Sequence, residues 1–238
     1  MPYRKGAANV FDLKLSAVAF SRRAVLKLAA SAAVAGLLVS MLPGSAIAQR
    51  QKGPAEVPVE ELMKPGVLAD VSLGVADAKV TVVEYASLTC PHCAHFTNQV
   101  FPEFRKKYVD TGKVHYIFRG FALNPLDQAA QMLVQCLGGE KRLSMIEAFF
   151  AKQADWAATS GNPVPKLFDL AKQAGFTQES FDACLKDQKL LDNLEADRKH
   201  ASETFGISST PTFFINGKRL QDTPTLEAFD KVIEPLLK

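Results

Sequence analysis

The chain has 238 residues, 28 Lys and Arg against 25 Asp and Glu, and a formal net charge of +3. Six of those bases and only one acid lie in the first 48 residues, so the remainder carries 22 bases and 24 acids, a net charge of −2. Charge therefore gives no ground for a nucleic acid or an anionic surface as partner, and the length suits one domain with room for an inserted subdomain.

Ser21-Arg22-Arg23-Ala24-Val25-Leu26-Lys27 precedes a mildly apolar run from Leu28 to Leu42, followed by Ala46-Ile47-Ala48. A positive start, an apolar stretch and a small-x-small end read as a cleaved export signal, with cleavage after Ala48. The run is short of the roughly 20 residues that a membrane span needs. The paired arginines, with an apolar residue, Leu and Lys after them, predict twin-arginine export; the alternative is an ordinary secretory signal that holds two arginines. Both place the product in the periplasm.

Residues 49–66 are polar and interrupted by Pro54, Pro58 and Pro65, which predicts a flexible lead-in with a short helical turn near Val59–Met63. Val67 to Leu73 alternates weakly, as an edge strand does. The β-branched run Val80-Thr81-Val82-Val83 predicts a buried central strand from about Lys79 to Ala86. A helix follows with Phe96, Val100, Phe104 and Tyr108 at i+4 spacing; Pro102 should kink it and Gly112 end it. Val114 to Phe118 is a third strand, in which His115 is expected to face solvent. Strand, helix and strand with about 20 residues between the strands form a βαβ unit and so a parallel pair.

From Leu126 to Phe205 the periods are helical. The predicted helices are Leu126–Leu137, Lys141–Gln153, Lys166–Gly175, Gln178–Asp187 and Lys189–Phe205, with Thr177 to Ser180 as a cap and Trp156 as a core anchor. Strand character returns at Thr212 to Ile215. Asn216-Gly217 predicts a type I′ turn into Lys218-Arg219-Leu220, and a helix over Thr225 to Leu237 closes the chain. One sheet, built from residues 67–125 and 206–238, is thus interrupted by an all-helical insertion over 126–205.

The chemistry lies in Glu84-Tyr85-Ala86-Ser87-Leu88-Thr89-Cys90-Pro91-His92-Cys93. Pro91 suits a first helical position, where its missing N–H is no loss. The Cys90 sulfur then sits among unpaired N–H groups at the positive end of a helix dipole, where a thiolate is stabilised. His92 can add a hydrogen bond or a charge. The pair reads as a reactive dithiol, with Cys90 as nucleophile and Cys93 one turn inside as the resolving sulfur. Two alternatives stand beside it: a structural staple, and a copper- or zinc-binding module of Cys90, Cys93 and His95, for which no fourth ligand is evident. Cys136 and Cys184 each lie in an apolar helical stretch. An oxidising compartment predicts a disulfide between two helices there, against two buried free thiols.

Cys90-Pro91-His92-Cys93, the Ser208-Ser209-Thr210-Pro211-Thr212-Phe213 segment and the helices between βαβ and ββα halves together resemble the DsbA family of thioredoxin-fold thiol–disulfide oxidoreductases. The resemblance runs nearly end to end after the export signal. It implies an α/β thioredoxin fold with a helical insertion and a cis peptide before Pro211, which has no N–H for the strand ladder and bends toward the dithiol. Thr210, Pro211 and Pro91 would then meet an extended substrate segment, as in strand addition. Glu84 falls where this fold commonly keeps a buried carboxylate, a proton acceptor for Cys93; the alternative is a side chain on a solvent face. A Cys136–Cys184 bond corresponds to the branch with a second, non-catalytic disulfide. Thr210 departs from the pattern, since the best-known oxidase has valine there and disulfide isomerases often have threonine. The implied activity is disulfide donation to reduced or unfolded exported proteins, without cofactor, with reoxidation by a membrane quinone-linked partner. A reductase or isomerase of the same fold is the alternative, and a holdase for unfolded clients a third. With only about 18 residues between cleavage site and first strand there is little room for a dimerisation segment, so a monomer is expected.

Overall fold

The computed structural model describes residues 53–158 and 160–238; the expected export signal, with its twin-arginine motif and its cleavage site after Ala48, lies outside them. Five strands, β1 (Val71–Leu73), β2 (Val80–Ala86), β3 (Val114–Gly120), β4 (Thr212–Ile215) and β5 (Lys218–Arg219), form one sheet in the order β1-β3-β2-β4-β5. The β2–β3 pair is parallel and the other pairs are antiparallel. The continuous apolar character of β2 follows from its position, since both of its faces are covered. Val80, Val82 and Ala86 enter the main core with Phe96, Phe104 and Phe229. Val83 and Tyr85 enter a second cluster with Leu62, Ile117, Phe205 and Phe214. The central strand has no solvent face.

The helix after β2 runs as α2 (Pro91–His95), a π-helical turn (Phe96–Val100), α3 (Phe101–Phe104) and a second π-helical turn (Arg105–Val109). The expected i+4 stripe and the kink at Pro102 are modified accordingly. Each π turn widens the repeat, so Phe101 joins Phe96, Phe104 and Tyr108 in the core and Val100 is only half-buried. Pro102, which has no N–H, follows the first π turn, where the regular ladder is already interrupted. Gly112 ends the segment at φ +71°.

The preceding helix is the short α1 (Val59–Leu62). The insertion holds α4 (Pro125–Cys136), α5 (Lys141–Ala151), α6 (Gln153–Trp156), α7 (Val164–Gln173), α8 (Gln178–Leu185) and α9 (Gln188–Phe205), and α10 (Leu226–Leu237) closes the chain. Thr177 and Ser180 form the predicted cap of α8 as a reciprocal capping box. Asn216 and Gly217 have φ of +46° and +81°, as the predicted type I′ turn requires. Cys136 at the end of α4 is bonded to Cys184 in α8, with Cα atoms 6.2 Å apart. Trp156 is fully buried, and its indole N–H donates to the Phe149 carbonyl at 2.9 Å. Among the described residues no helix is long and apolar enough to cross a membrane.

Four expectations are corrected. The edge strand starts at Val71 rather than Val67, because the Asp197 carboxylate takes the N–H groups of Val67 and Leu68 at 2.8 and 2.9 Å. The single helix predicted over Lys141–Gln153 breaks at Lys152 and restarts as α6. The lead-in is not loose along its described length. Arg219 N donates to Ala55 O and Val57 N to Gly217 O, both at 2.8 Å, and Val57 is buried, so these residues cover the outer edge of β5. His115 is half-buried with Nδ1 unpartnered, because strand alternation puts it on the face of Ile117, which a second layer covers; burial holds its imidazole below the usual range.

Candidate active site

Strand β2 delivers the turn Ser87-Leu88-Thr89 and then Cys90, the N-cap of α2, with extended φ of −80° and ψ of 120° and Pro91 at the first helical position. Strand β4 runs antiparallel beside β2, with Thr212 opposite Tyr85, and so brings the Thr210–Pro211 loop to the same end of the sheet. The Thr210–Pro211 peptide is cis, and the Thr212 hydroxyl closes the loop on Ser209 O at 2.8 Å. The Cys90 thiol donates to Thr210 O at 3.2 Å. Cys90 keeps 7% of its surface exposed and Cys93 none; both are free thiols. Pro91 and His92 are exposed, Thr210 is half-buried and Pro211 buried.

The two sulfurs have opposite tendencies. The Cys93 thiol is the largest influence on Cys90, and the N–H groups of Cys93 and His92 add to it. Together with Thr210 they bring the Cys90 pKa down to about 5, although burial acts the other way. The Thr210 hydroxyl has no hydrogen-bond partner in this structure and so remains available to the ionised sulfur. Cys93 is pushed well above the usual thiol range, chiefly by burial, then by its bond to Cys90 and the Glu84 charge. One sulfur is set up to be a thiolate and the other a neutral thiol.

Glu84 follows Val82 on the core-facing side of β2 and is fully buried, so the solvent-face alternative does not apply. The Tyr116 hydroxyl donates to its Oε2, while Oε1 has no hydrogen-bond partner. Burial raises its pKa to about 8, a nearby Cys90 charge adds to this, and the Tyr116 bond opposes it. At neutral pH the group holds its proton. His95 is exposed, and among the described residues no three His, Cys, Asp or Glu side chains are grouped as a metal ion would need.

Four site residues escape the sequence reading. Tyr116 was legible from parity: it lies opposite Val82 in the parallel pair and therefore on Glu84's face. Asp127 was signalled by Asn124-Pro125-Leu126-Asp127, a capping pattern at the start of α4. Its buried carboxylate accepts from Leu88 N and Leu123 N, each at 2.9 Å, and so ties the turn before Cys90 to the insertion. Gln131 backs this contact with a bond to Asp127 Oδ1 at 3.3 Å; Gly120 leaves it room, since a Cβ there would overlap Gln131 Oε1. Gln153 donates to Leu88 O at 2.8 Å and Cys90 O at 3.0 Å, and no local pattern announces it.

A family model described as thioredoxin matches residues 67–235. A Rickettsia bellii protein named provisionally as a protein-disulfide oxidoreductase is 34% identical over 168 residues, covering 69% of this chain and 65% of that protein. Disulfide bond formation protein D of Bacillus subtilis is 27% identical over 184 residues, covering 74% of this chain and 80% of that one. The chain spans about 60–65% of the length of the first rickettsial relatives. The crystal structure of Wolbachia pipientis alpha-DsbA1 superposes with a TM-score of 0.69 at 32% identity, covering 76% of this chain and 96% of that one. With its thioredoxin sheet, its Cys-Pro-His-Cys helix start and its cis-proline loop, the chain belongs to the DsbA family of thioredoxin-fold thiol–disulfide oxidoreductases.

Proposed function

We propose that this protein is an exported oxidase that passes a Cys90–Cys93 disulfide to reduced or unfolded exported proteins. The observation that carries the reading is the asymmetry of the two sulfurs: Cys90 stands at the N-cap of α2 and keeps a little exposed surface, with its pKa lowered to about 5, whereas Cys93 is fully buried and pushed well above the usual range. A well-stabilised Cys90 thiolate stabilises the reduced form, and a dithiol with a stable reduced form is a strong oxidant.

The exchange starts from the oxidised pair. A client thiolate attacks Cys90 Sγ, forming a mixed disulfide and breaking the Cys90–Cys93 bond. Cys93 leaves as a thiolate and takes the proton that Glu84 holds at neutral pH. A second client thiolate then attacks the client sulfur of the mixed disulfide and expels the Cys90 thiolate. The client has lost two electrons and gained a disulfide; the protein has gained those electrons as one thiolate and one thiol. Glu84 regains its proton from solvent, and on reoxidation it accepts the proton from Cys93. Thr210, Pro211 and Pro91 line the position where the client backbone would lie, with His92 beside the reacting sulfur.

The same proposal includes export through the twin-arginine segment, a periplasmic location, reoxidation by a membrane partner and action as a monomer. Equilibrating the Cys90–Cys93 pair with glutathione buffers tests the direction of exchange. A potential near the roughly −120 mV of strongly oxidising dithiols supports donation, and one near the roughly −270 mV of strongly reducing ones refutes it. Threonine rather than valine before Pro211 favours the isomerase as second reading, which an intermediate potential would support.

A further inference from the structure

We propose that Gln153, at the break between α5 and α6, is a positioning residue for the Cys90 sulfur, through which the helical insertion sets the strength of the dithiol as an oxidant. The proposal rests on disulfide exchange at Cys90 and Cys93. The half-buried side-chain amide of Gln153 donates to two carbonyls of the active-site turn, Leu88 O at 2.8 Å and Cys90 O at 3.0 Å.

The break that presents this amide is supported on every side. Helix α5 ends at Ala151, and Lys152 leaves helical geometry at φ −111° and ψ 16°. Three carbonyls of the last turn of α5 have donors at the break. Ala148 O accepts from Lys152 N at 3.1 Å, Phe149 O from the Trp156 indole at 2.9 Å, and Phe150 O from Asn98 Nδ2 at 3.0 Å. Asn98 lies in the first π turn of the active-site helix. Two side-chain amides therefore cross one interface in opposite directions: Gln153 from the insertion to the turn, Asn98 from the active-site helix to the insertion.

Only the first touches the backbone of Cys90. The Cys90 carbonyl also accepts the first helical bond of α2, from Ala94 N at 3.1 Å. Holding that carbonyl keeps Cys90 in its N-cap geometry, with the N–H groups of His92 and Cys93 aimed at Sγ. The amide hydrogens also offset the partial negative charge of two carbonyls in the turn that carries a sulfur which becomes negative on reduction. Gln153 is neutral, so its contribution works through dipoles and position.

The test equilibrates the protein and its Gln153→Ala, Gln153→Glu, Gln153→Lys and Asn98→Ala variants with reduced and oxidised glutathione at neutral pH, and records Tm in parallel. Gln153→Ala is expected to move the Cys90–Cys93 equilibrium about threefold to tenfold toward the oxidised form, as the loss of hydrogen bonds that favour one state requires. Gln153→Glu should move it further in that direction, and Gln153→Lys the opposite way. Asn98→Ala should lower Tm without moving the equilibrium. An unchanged equilibrium in Gln153→Ala beside a lowered Tm overturns the proposal, as does an Asn98→Ala shift equal to that of Gln153→Ala. If Gln153→Ala does not fold, equal equilibria in Gln153→Glu and Gln153→Lys overturn it. The absolute constant of the unmodified protein tests the donating direction, whereas the ratios among variants test Gln153, so the two ideas fail separately.

Discussion

Glu84 is fully buried, and its pKa is raised from 4.5 to about 8, chiefly by desolvation. Below pH 4.5 the carboxyl is protonated in both folded and unfolded chains. Between 4.5 and about 8 the unfolded chain ionises while the folded protein keeps its proton, so the folded state binds more protons and stability falls as pH rises. One proton gives a slope of at most about 1.4 kcal/mol per pH unit, and the whole window amounts to something on the order of 5 kcal/mol. Glu84→Gln removes this titration. The amide oxygen can still accept from Tyr116, but its NH2 replaces an Oε1 that has no hydrogen-bond partner, which costs about 1–3 kcal/mol at every pH. The curves should therefore cross, with the variant less stable than the parent near pH 5 and more stable above about pH 8. The assay is denaturant unfolding followed through Trp156, the only tryptophan, with both disulfides closed so that no thiol titrates; the Cys90 charge then no longer adds to the shift, and burial, its largest cause, remains. A stability difference that stays constant across this pH range would refute the neutral, buried carboxyl and, with it, the proton transfer proposed for Cys93.

Two further outcomes follow from the insertion. The Cys136–Cys184 bond closes a loop with a sequence separation of 48, so the Cys136→Ala/Cys184→Ala pair should lose about 4 kcal/mol in denaturant unfolding. A loss below about 1 kcal/mol would show that the unfolded chain is not restrained by the loop. Asp127→Ala leaves the N–H groups of Leu88 and Leu123 without their present acceptor. It should cost about 2–5 kcal/mol and speed hydrogen exchange at Leu88 first; unchanged exchange there would show that the turn is held by other contacts.

Much of this protein was legible in the sequence because the relevant signals are local. The β-branched run at Val80 to Val83, the Asn216-Gly217 turn, the Thr177 cap and the helical periods of the insertion each reflect the preferences of a few adjacent residues. So does Cys90-Pro91-His92-Cys93, whose spacing alone puts one sulfur at a helix start and the other a turn inside. What tertiary structure alone decided depends on groups that meet across long stretches of chain. Whether Glu84 faced solvent depended on both faces of β2 being covered, by elements far apart in sequence. The bond between Cys136 and Cys184 depended on how α4 and α8 pack, and the covering of β5 depended on residues 55–57 finding an open edge. The break at Lys152 is compensated by Asn98, more than fifty residues earlier, and Gln153 meets Leu88 and Cys90 at a similar distance along the chain. Periodicity carries no record of such pairs, because hydrogen bonds between distant residues are set by packing geometry and not by the preferences of neighbours along the chain.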